Sequence, residues 1–513
     1  MHKQQHSIST LLFILLTVCL LPSGVNAQDT ASIPTAELDT FRGSSLGIRI
    51  EENGDYPIVT DIYSHVAAVS PFLKNDKIHE LGDLKFPGTT LEQVSDLLKK
   101  TDPDTALAAT VMRGQVMVRL NVTTFRKEYM DIQAIYRRLS TNRIIEQHLQ
   151  GTGRAKLLDD ITVRMAASVQ QSPSPRHAAE ALNRIIDEIG ISHTAIIPAS
   201  AGLGFSTRPK GSIGLVLQRH VINGRAGYFV IDLKPGSCSY ESELKLGDEI
   251  VAINNVPIAQ SRRLDLSGHE DRHQLFAIQS DLEESVRLHY LRSPFEDVDV
   301  LDLKTSSDPN TVSSLKSSKR IVEVADQRVG YLRFWNLMSM GVSTQFAKYL
   351  NEDFADCDAV VMDLRGRGGI IPAVLALNRT VGKVDKPVVV VIDRLTRSAK
   401  EMLTYLLKKQ DHVHVVGMKT SGAVTGATVT QLPSGNSMMI PVASAEALKQ
   451  YIDGAVLEGI GVEPDEFVNY FVPYSAGNDR ILNVALQRAT ELVNSTSTST
   501  STAGAQSSIQ PIR

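Results

Sequence analysis

The chain has 513 residues, 42% hydrophobic and 21% charged, a length that calls for several domains and a composition ordinary for a globular protein. A formal net charge of −4 gives no basic excess to neutralise phosphates, and one Trp with 5% aromatics gives no base-stacking surface, so nucleic acid is excluded as the main partner. No Cys or His pair stands at metal-ligand spacing, so no metal and no other cofactor is expected.

The first segment is a targeting pattern. His2 and Lys3 precede an apolar run at 11–21, and Val25-Asn26-Ala27 supplies the small residues of a cleavage site. Pro22 and Gly24 end the run too early for a comfortable membrane span. Residues 1–27 are therefore expected to be a signal peptide, with export to a periplasm or outside the cell and no later transmembrane segment. Cys19 would leave with it. Cys238 and Cys357 remain, enough for one disulfide in an oxidising compartment, or equally two buried small hydrophobes.

Residues 41–125 read as a small β-domain. Alternation starts at Ser45-Leu46-Gly47-Ile48-Arg49-Ile50, strands are expected at 56–63 and 115–122, and a helix at 91–100. A helical region, 126–200, follows. Its segments 136–149, 155–169 and 177–189 carry apolar residues at helical spacing, Pro173 and Pro175 divide the second from the third, and Gly190 stops the third. Residues 201–304 form a second β-unit. Gly202-Leu203-Gly204-Phe205 opens it, and Lys234-Pro235-Gly236-Ser237 and Leu246-Gly247-Asp248-Glu249-Ile250 punctuate it. The Ser/Thr-rich stretch 305–320 reads as a linker.

From 319 to 493 strands and helices alternate as in an α/β core. Strands are expected at 329–334, 359–364, 387–392 and 413–417, a hairpin at 427–432 with 437–441, and helices at 343–352, 371–381 and 479–492. The polar tail 494–513 is expected to be disordered. The whole reads as a multidomain α+β chain.

Thr396-Arg397-Ser398-Ala399-Lys400-Glu401 stands where the buried strand 387–392 turns into a helix with Met402, Leu403, Leu406 and Leu407 at helical spacing. A serine there has two uses. It can cap the helix, or it can present its hydroxyl beyond the sheet beside unpaired helical N–H groups that hold an oxyanion. Lys400, two positions along the helix, and Lys419 read as solvated surface charges.

Four stretches together resemble the C-terminal processing, or tail-specific, serine peptidases: Gly330-Tyr331-Leu332-Arg333, Asp363-Leu364-Arg365 with Gly368-Gly369, Ser398-Ala399-Lys400-Glu401, and Gly459-Ile460-Gly461-Val462-Glu463-Pro464-Asp465. The unit at 201–304 resembles a PDZ domain, and 41–125 a diverged copy. The resemblance implies a peptidase core of the ClpP/crotonase-like kind with Ser398 as nucleophile. It implies an oxyanion hole from the Ala399 N–H and a glycine of the Gly368-Gly369 turn, and a loop at Gly202, Leu203, Gly204 and Phe205 that catches a peptide's terminal carboxylate. The loop before the paired glycines is one residue longer than usual, which leaves the choice of glycine open.

The family's usual lysine base is missing, because Ala423 follows Thr420-Ser421-Gly422. The base is instead similar to that of tricorn-type peptidases, which use serine, histidine and glutamate. Ser192-His193 matches their Ser-His pair, and Glu458 their glutamate. A histidine accepts and returns a proton near neutral pH, and a carboxylate orients it. The resemblance thus implies an exported serine endopeptidase acting on protein or peptide substrates, probed through their C-terminal segments. The alternative is an inactive scaffold with the same peptide-binding units.

Overall fold

A computed structural model of the chain describes residues 37–39, 43–63, 67, 69–198, 210–266 and 275–505. The expected signal peptide and the loop at Gly202, Leu203, Gly204 and Phe205 lie outside the described residues. Among the described residues no helix is long and apolar enough to cross a membrane.

The run Val388–Ile392 shows no alternation because both faces of its strand are covered. It lies inside a six-stranded sheet, parallel to Ala359–Asp363 on one side and Val413–Gly417 on the other. Gln327–Arg333 and the short Glu466–Phe467 continue the parallel order, and Arg320–Val324 closes one edge as an antiparallel strand. The strand period of two divides each run between two cores. Val360, Met362, Val388 and Val390 pack on helices Gly341–Asn351, Ile371–Val381 and Ala399–Leu407. Ala359, Val361, Val389 and Val391 pack on Ile481, Leu482, Ala485 and Ala489 of helix Arg480–Ala505.

The hairpin Gly426–Gln431 with Ser437–Ala443 takes a third strand, Ala195–Ile197, from far upstream. Ile197 pairs with Ser437 and Ala195 with Met439. This pairing fixes the end of the helical region, and with it residues 192–193, against the α/β core. The helices themselves pack on the hairpin through Ile196, Leu432, Met438 and Ile440.

Residues 210–304 form a nine-stranded sheet around Leu217, Val230, Ile250, Phe276 and Leu288. Residues 48–123 form a six-stranded sheet with helix Leu91–Lys100, whose Thr90 and Gln93 make a capping box. The molecule is thus a mixed α/β structure with several separate sheets.

Three expectations change, and one that was left open is settled. The segment expected as one helix at 136–149 is two, Tyr129–Ser140 and Arg143–Gly151, because the Asn142 side chain caps the second by accepting from the Ile144 and Ile145 N–H groups. The expected linker holds a helix, Thr311–Ser318, capped in the same way by Asn310, with Leu315 in the core. The tail expected to be disordered from Asn494 begins as helix, which runs on to Ala505; Ser and Thr cost only tenths of a kcal/mol per residue once a packed helix is propagating. Cys238 and Cys357 are free thiols, not a disulfide.

Candidate active site

Ser398 sits at the C-terminal edge of the parallel sheet, the side on which open α/β sheets form their crevices. Its backbone is left-handed, φ 57° and ψ −130°. For a serine this costs roughly 1–3 kcal/mol and must be imposed by the surroundings. Two acceptors impose it: the Ser398 N–H donates to the Ala423 carbonyl at 2.7 Å and to Glu401 Oε2 at 3.2 Å.

The carboxylate of Glu401 is fully buried and serves the whole turn. Oε1 accepts from the Thr420 hydroxyl and the Gly422 N–H, both at 2.6 Å, and Oε2 accepts from the Ala423 N–H at 2.7 Å. Burial raises its pKa, and these hydrogen bonds oppose the rise. The role of Glu401 in the site was not foreseen, although Ser398 and Glu401 stand at capping-box spacing, the signal that identifies such a side chain.

Of the two candidate glycines, Gly368 borders Ser398. A Cβ added there would lie 2.6 Å from Ser398 Cβ and 3.1 Å from its Oγ, so only glycine allows the approach. Gly369 packs instead on Leu337, 2.3 Å from a built Cβ, and is not beside the serine. Among the described residues neither the Gly368 nor the Ala399 N–H has a hydrogen-bond acceptor.

Lys400 is not at the surface. Its side chain is fully buried, and Nζ donates to the carbonyls of Trp335 and Arg365 at 3.1 and 2.9 Å. Helical spacing alone could not show that this face of the helix turns inward. Lys419 is exposed, as expected, and pairs with Glu463 at 2.6 Å.

Ser192, His193 and Glu458 come together. Ser192 donates its N–H to Glu458 Oε1 and its hydroxyl to Oε2, both at 3.0 Å, and its Oγ lies 3.0 Å from His193 Nδ1. A carboxylate only accepts, so the Ser192 hydroxyl donates to Glu458, its oxygen accepts from Nδ1–H, and the imidazole carries its acceptor lone pair on Nε2. Glu458 therefore reaches His193 through Ser192. The two halves of the site meet at 423–425. Ala423 holds Ser398, while the N–H groups of Val424 and Thr425 donate to Glu458 Oε2 at 2.8 and 3.1 Å.

His193 is 7% exposed and has φ 59°. Burial, then the charge of Arg397, push its pKa down to about 3 against the partial opposition of Glu458. The native state thus refuses a proton that the unfolded chain takes from pH 6.5 downward. The sign follows: this contribution to stability is intact above pH 6.5 and falls by about 1.4 kcal/mol per pH unit below it until the native histidine titrates. Urea midpoints at pH 7 and 5 should therefore move less in His193→Gln than in the parent.

Residues 374–468 match the family model of Peptidase family S41. A "Carboxyl-terminal-processing protease" of Picosynechococcus sp. is 27% identical over 260 residues, which are 46% of this chain and 59% of that protein. The solved structure of a "Photosystem II D1 C-terminal processing protease" aligns with TM-score 0.39 and 18% identity, covering 69% of this chain and 98% of that one. The crystal structure of the tricorn protease aligns with TM-score 0.38 and 13% identity, covering 87% and 46%. The chain is thus a relative of the C-terminal processing serine peptidases, with the Peptidase family S41 pattern at residues 374–468.

Proposed function

We propose that the chain is an exported serine endopeptidase that cleaves protein or peptide substrates by acyl transfer through Ser398. The observation that carries this reading is the segment 423–425, which holds Ser398 through the Ala423 carbonyl and the Ser192–Glu458 pair through its next two N–H groups. Ser398 Oγ attacks the scissile carbonyl and gives its proton to Nε2 of His193. The Gly368 and Ala399 N–H groups take the charge that develops on the carbonyl oxygen, already in place before it forms. His193 returns the proton to the leaving amine, and a water repeats the cycle to release the acyl group. Glu458 supports the imidazolium through Ser192, with no proton passing to it. Residues 201–304 act in this reading as a PDZ domain that captures C-terminal segments of substrates, 41–125 as its diverged copy, and the α/β core as one of the ClpP/crotonase-like kind.

A serine-directed phosphonate tests it. Labelling is expected on the peptide that contains Ser398 and should vanish in Ser398→Ala. Lys419→Ala, altering an exposed ion pair, should cleave at the parent rate. Loss of activity in the lysine variant would overturn the histidine as base, and a parent chain that neither labels nor cleaves would favour an inert peptide-binding scaffold.

A further inference from the structure

A peptide plane two residues before the glycine that borders Ser398 is held at both ends. Its carbonyl, that of Arg365, accepts from Lys400 Nζ at 2.9 Å. Its N–H, that of Gly366, donates to Asp393 Oδ1 at 3.1 Å. The two holders bracket Ser398, one at the end of strand Val388–Ile392 and the other on the first turn of helix Ala399–Leu407. Resting on the serine-peptidase reading above, we propose that Asp393 and Lys400 are positioning residues: together they clamp the Arg365–Gly366 peptide and so set the turn that brings Gly368 against Ser398.

The rest of the turn has little freedom once this plane is fixed. Gly366 is left-handed, φ 78°, and two residues later the Gly368 carbonyl accepts from the Leu337 N–H at 2.9 Å, while the Leu337 carbonyl accepts from Ile370 at 3.0 Å. Lys400 also grips the wall on which that ladder leans, through the Trp335 carbonyl. One amine thus ties both strand ends, 333–337 and 363–370, to the helix that carries the nucleophile. Asp393 is fixed in turn, since the same Oδ1 accepts from the Leu395 N–H at 3.1 Å and the Thr396 hydroxyl at 2.9 Å.

The chemistry of Lys400 suits this task. Burial, followed by the charge of Arg333, holds its amine well below its ordinary pKa. Its N–H bonds meet two carbonyls, and among the described residues no carboxylate hydrogen-bonds to it. A surface role, or an ion pair with a carboxylate, would leave those carbonyls without the donor that buried backbone groups require.

The test compares Lys400→Met and Asp393→Ala, which remove the clamp, with Asp393→Asn, which keeps an acceptor oxygen. Leu407→Ala, a cavity at the far end of the same helix, controls for lost stability. Misplacing the turn should lower kcat about 100-fold in the first two variants, with KM within about twofold, and Asp393→Asn should recover most of the loss. Amide hydrogen exchange should quicken at 365–370 and stay unchanged at 403–407. A Lys400→Met enzyme with parent kcat, or a loss no greater than that of Leu407→Ala at equal Tm, overturns the proposal. If the parent neither labels nor cleaves, the peptidase reading fails, and exchange decides the clamp: unaltered protection at 365–370 in Lys400→Met refutes it.

Discussion

Replacing Ser398 by alanine, or His193 by asparagine, is expected to lower kcat by about 10⁴-fold or more, and both changes together by no more than the larger single loss. The reason is that in the proposed mechanism nucleophile and base act as one unit, so the second removal takes away nothing that still works. Asparagine is the better probe at 193. The residue there has φ 59°, a conformation that asparagine adopts at small cost and alanine resists, so lost activity is not confused with backbone strain. Ser192→Ala should fall between these variants and the parent. It removes the hydroxyl that joins Nδ1 to Glu458 and fixes the tautomer, yet leaves the imidazole in place. Single-turnover cleavage of a peptide amide, with unchanged far-ultraviolet circular dichroism, reads all three. A His193→Asn enzyme within tenfold of the parent would remove His193 from the mechanism, since a general base contributes about 10²–10⁴-fold.

How far the sequence reveals this site depends on the range of the interactions. The strand Val388–Ile392 and the helix after it are local signals, and the elbow at Ser398 follows from their junction. The pairing of Ser192–His193 with Glu458 spans 266 residues, and no period or propensity reports it. It was legible only through resemblance, because the strand Ala195–Ile197 that delivers it has three residues and crosses to a distant hairpin. Lys400 was misread for a related reason. Charge type predicts exposure on average, but the carbonyls of Trp335 and Arg365 that receive its amine come from the segments that follow two other strands. The helix at Thr311–Ser318 was lost in a Ser-rich stretch read as linker, where only Leu315 and the partly buried Val312 pack on the core. The choice between Gly368 and Gly369 needed coordinates outright, because adjacent glycines differ only in which neighbour, Ser398 or Leu337, excludes a Cβ.

Glu401→Ala is expected to cost about 3–5 kcal/mol of stability, since each buried donor left without an acceptor costs about 1–3 kcal/mol. The figure is large against a whole-domain stability of about 5–15 kcal/mol. Four donors converge on this carboxylate, from Ser398, Thr420, Gly422 and Ala423; the methyl group would leave the last three facing a cavity that holds no acceptor, and the Ser398 N–H with the Ala423 carbonyl alone. Glu401→Gln separates stability from function. The amide keeps one oxygen but turns an NH₂ toward donors. With the oxygen toward Ala423 and Ser398, the Thr420 hydroxyl can rotate to accept from the amide, though the Val462 N–H already occupies it at 2.7 Å, and the Gly422 N–H is still opposed. Urea denaturation should place Glu401→Gln between the parent and the alanine variant. Its kcat should nonetheless fall further than its stability implies, because the same carboxylate that holds 420–423 also holds the Ser398 N–H in its strained conformation. Equal stability and kcat of Glu401→Gln and the parent would mean that one amide oxygen toward Ser398 and Ala423 holds the turn as well as the carboxylate does.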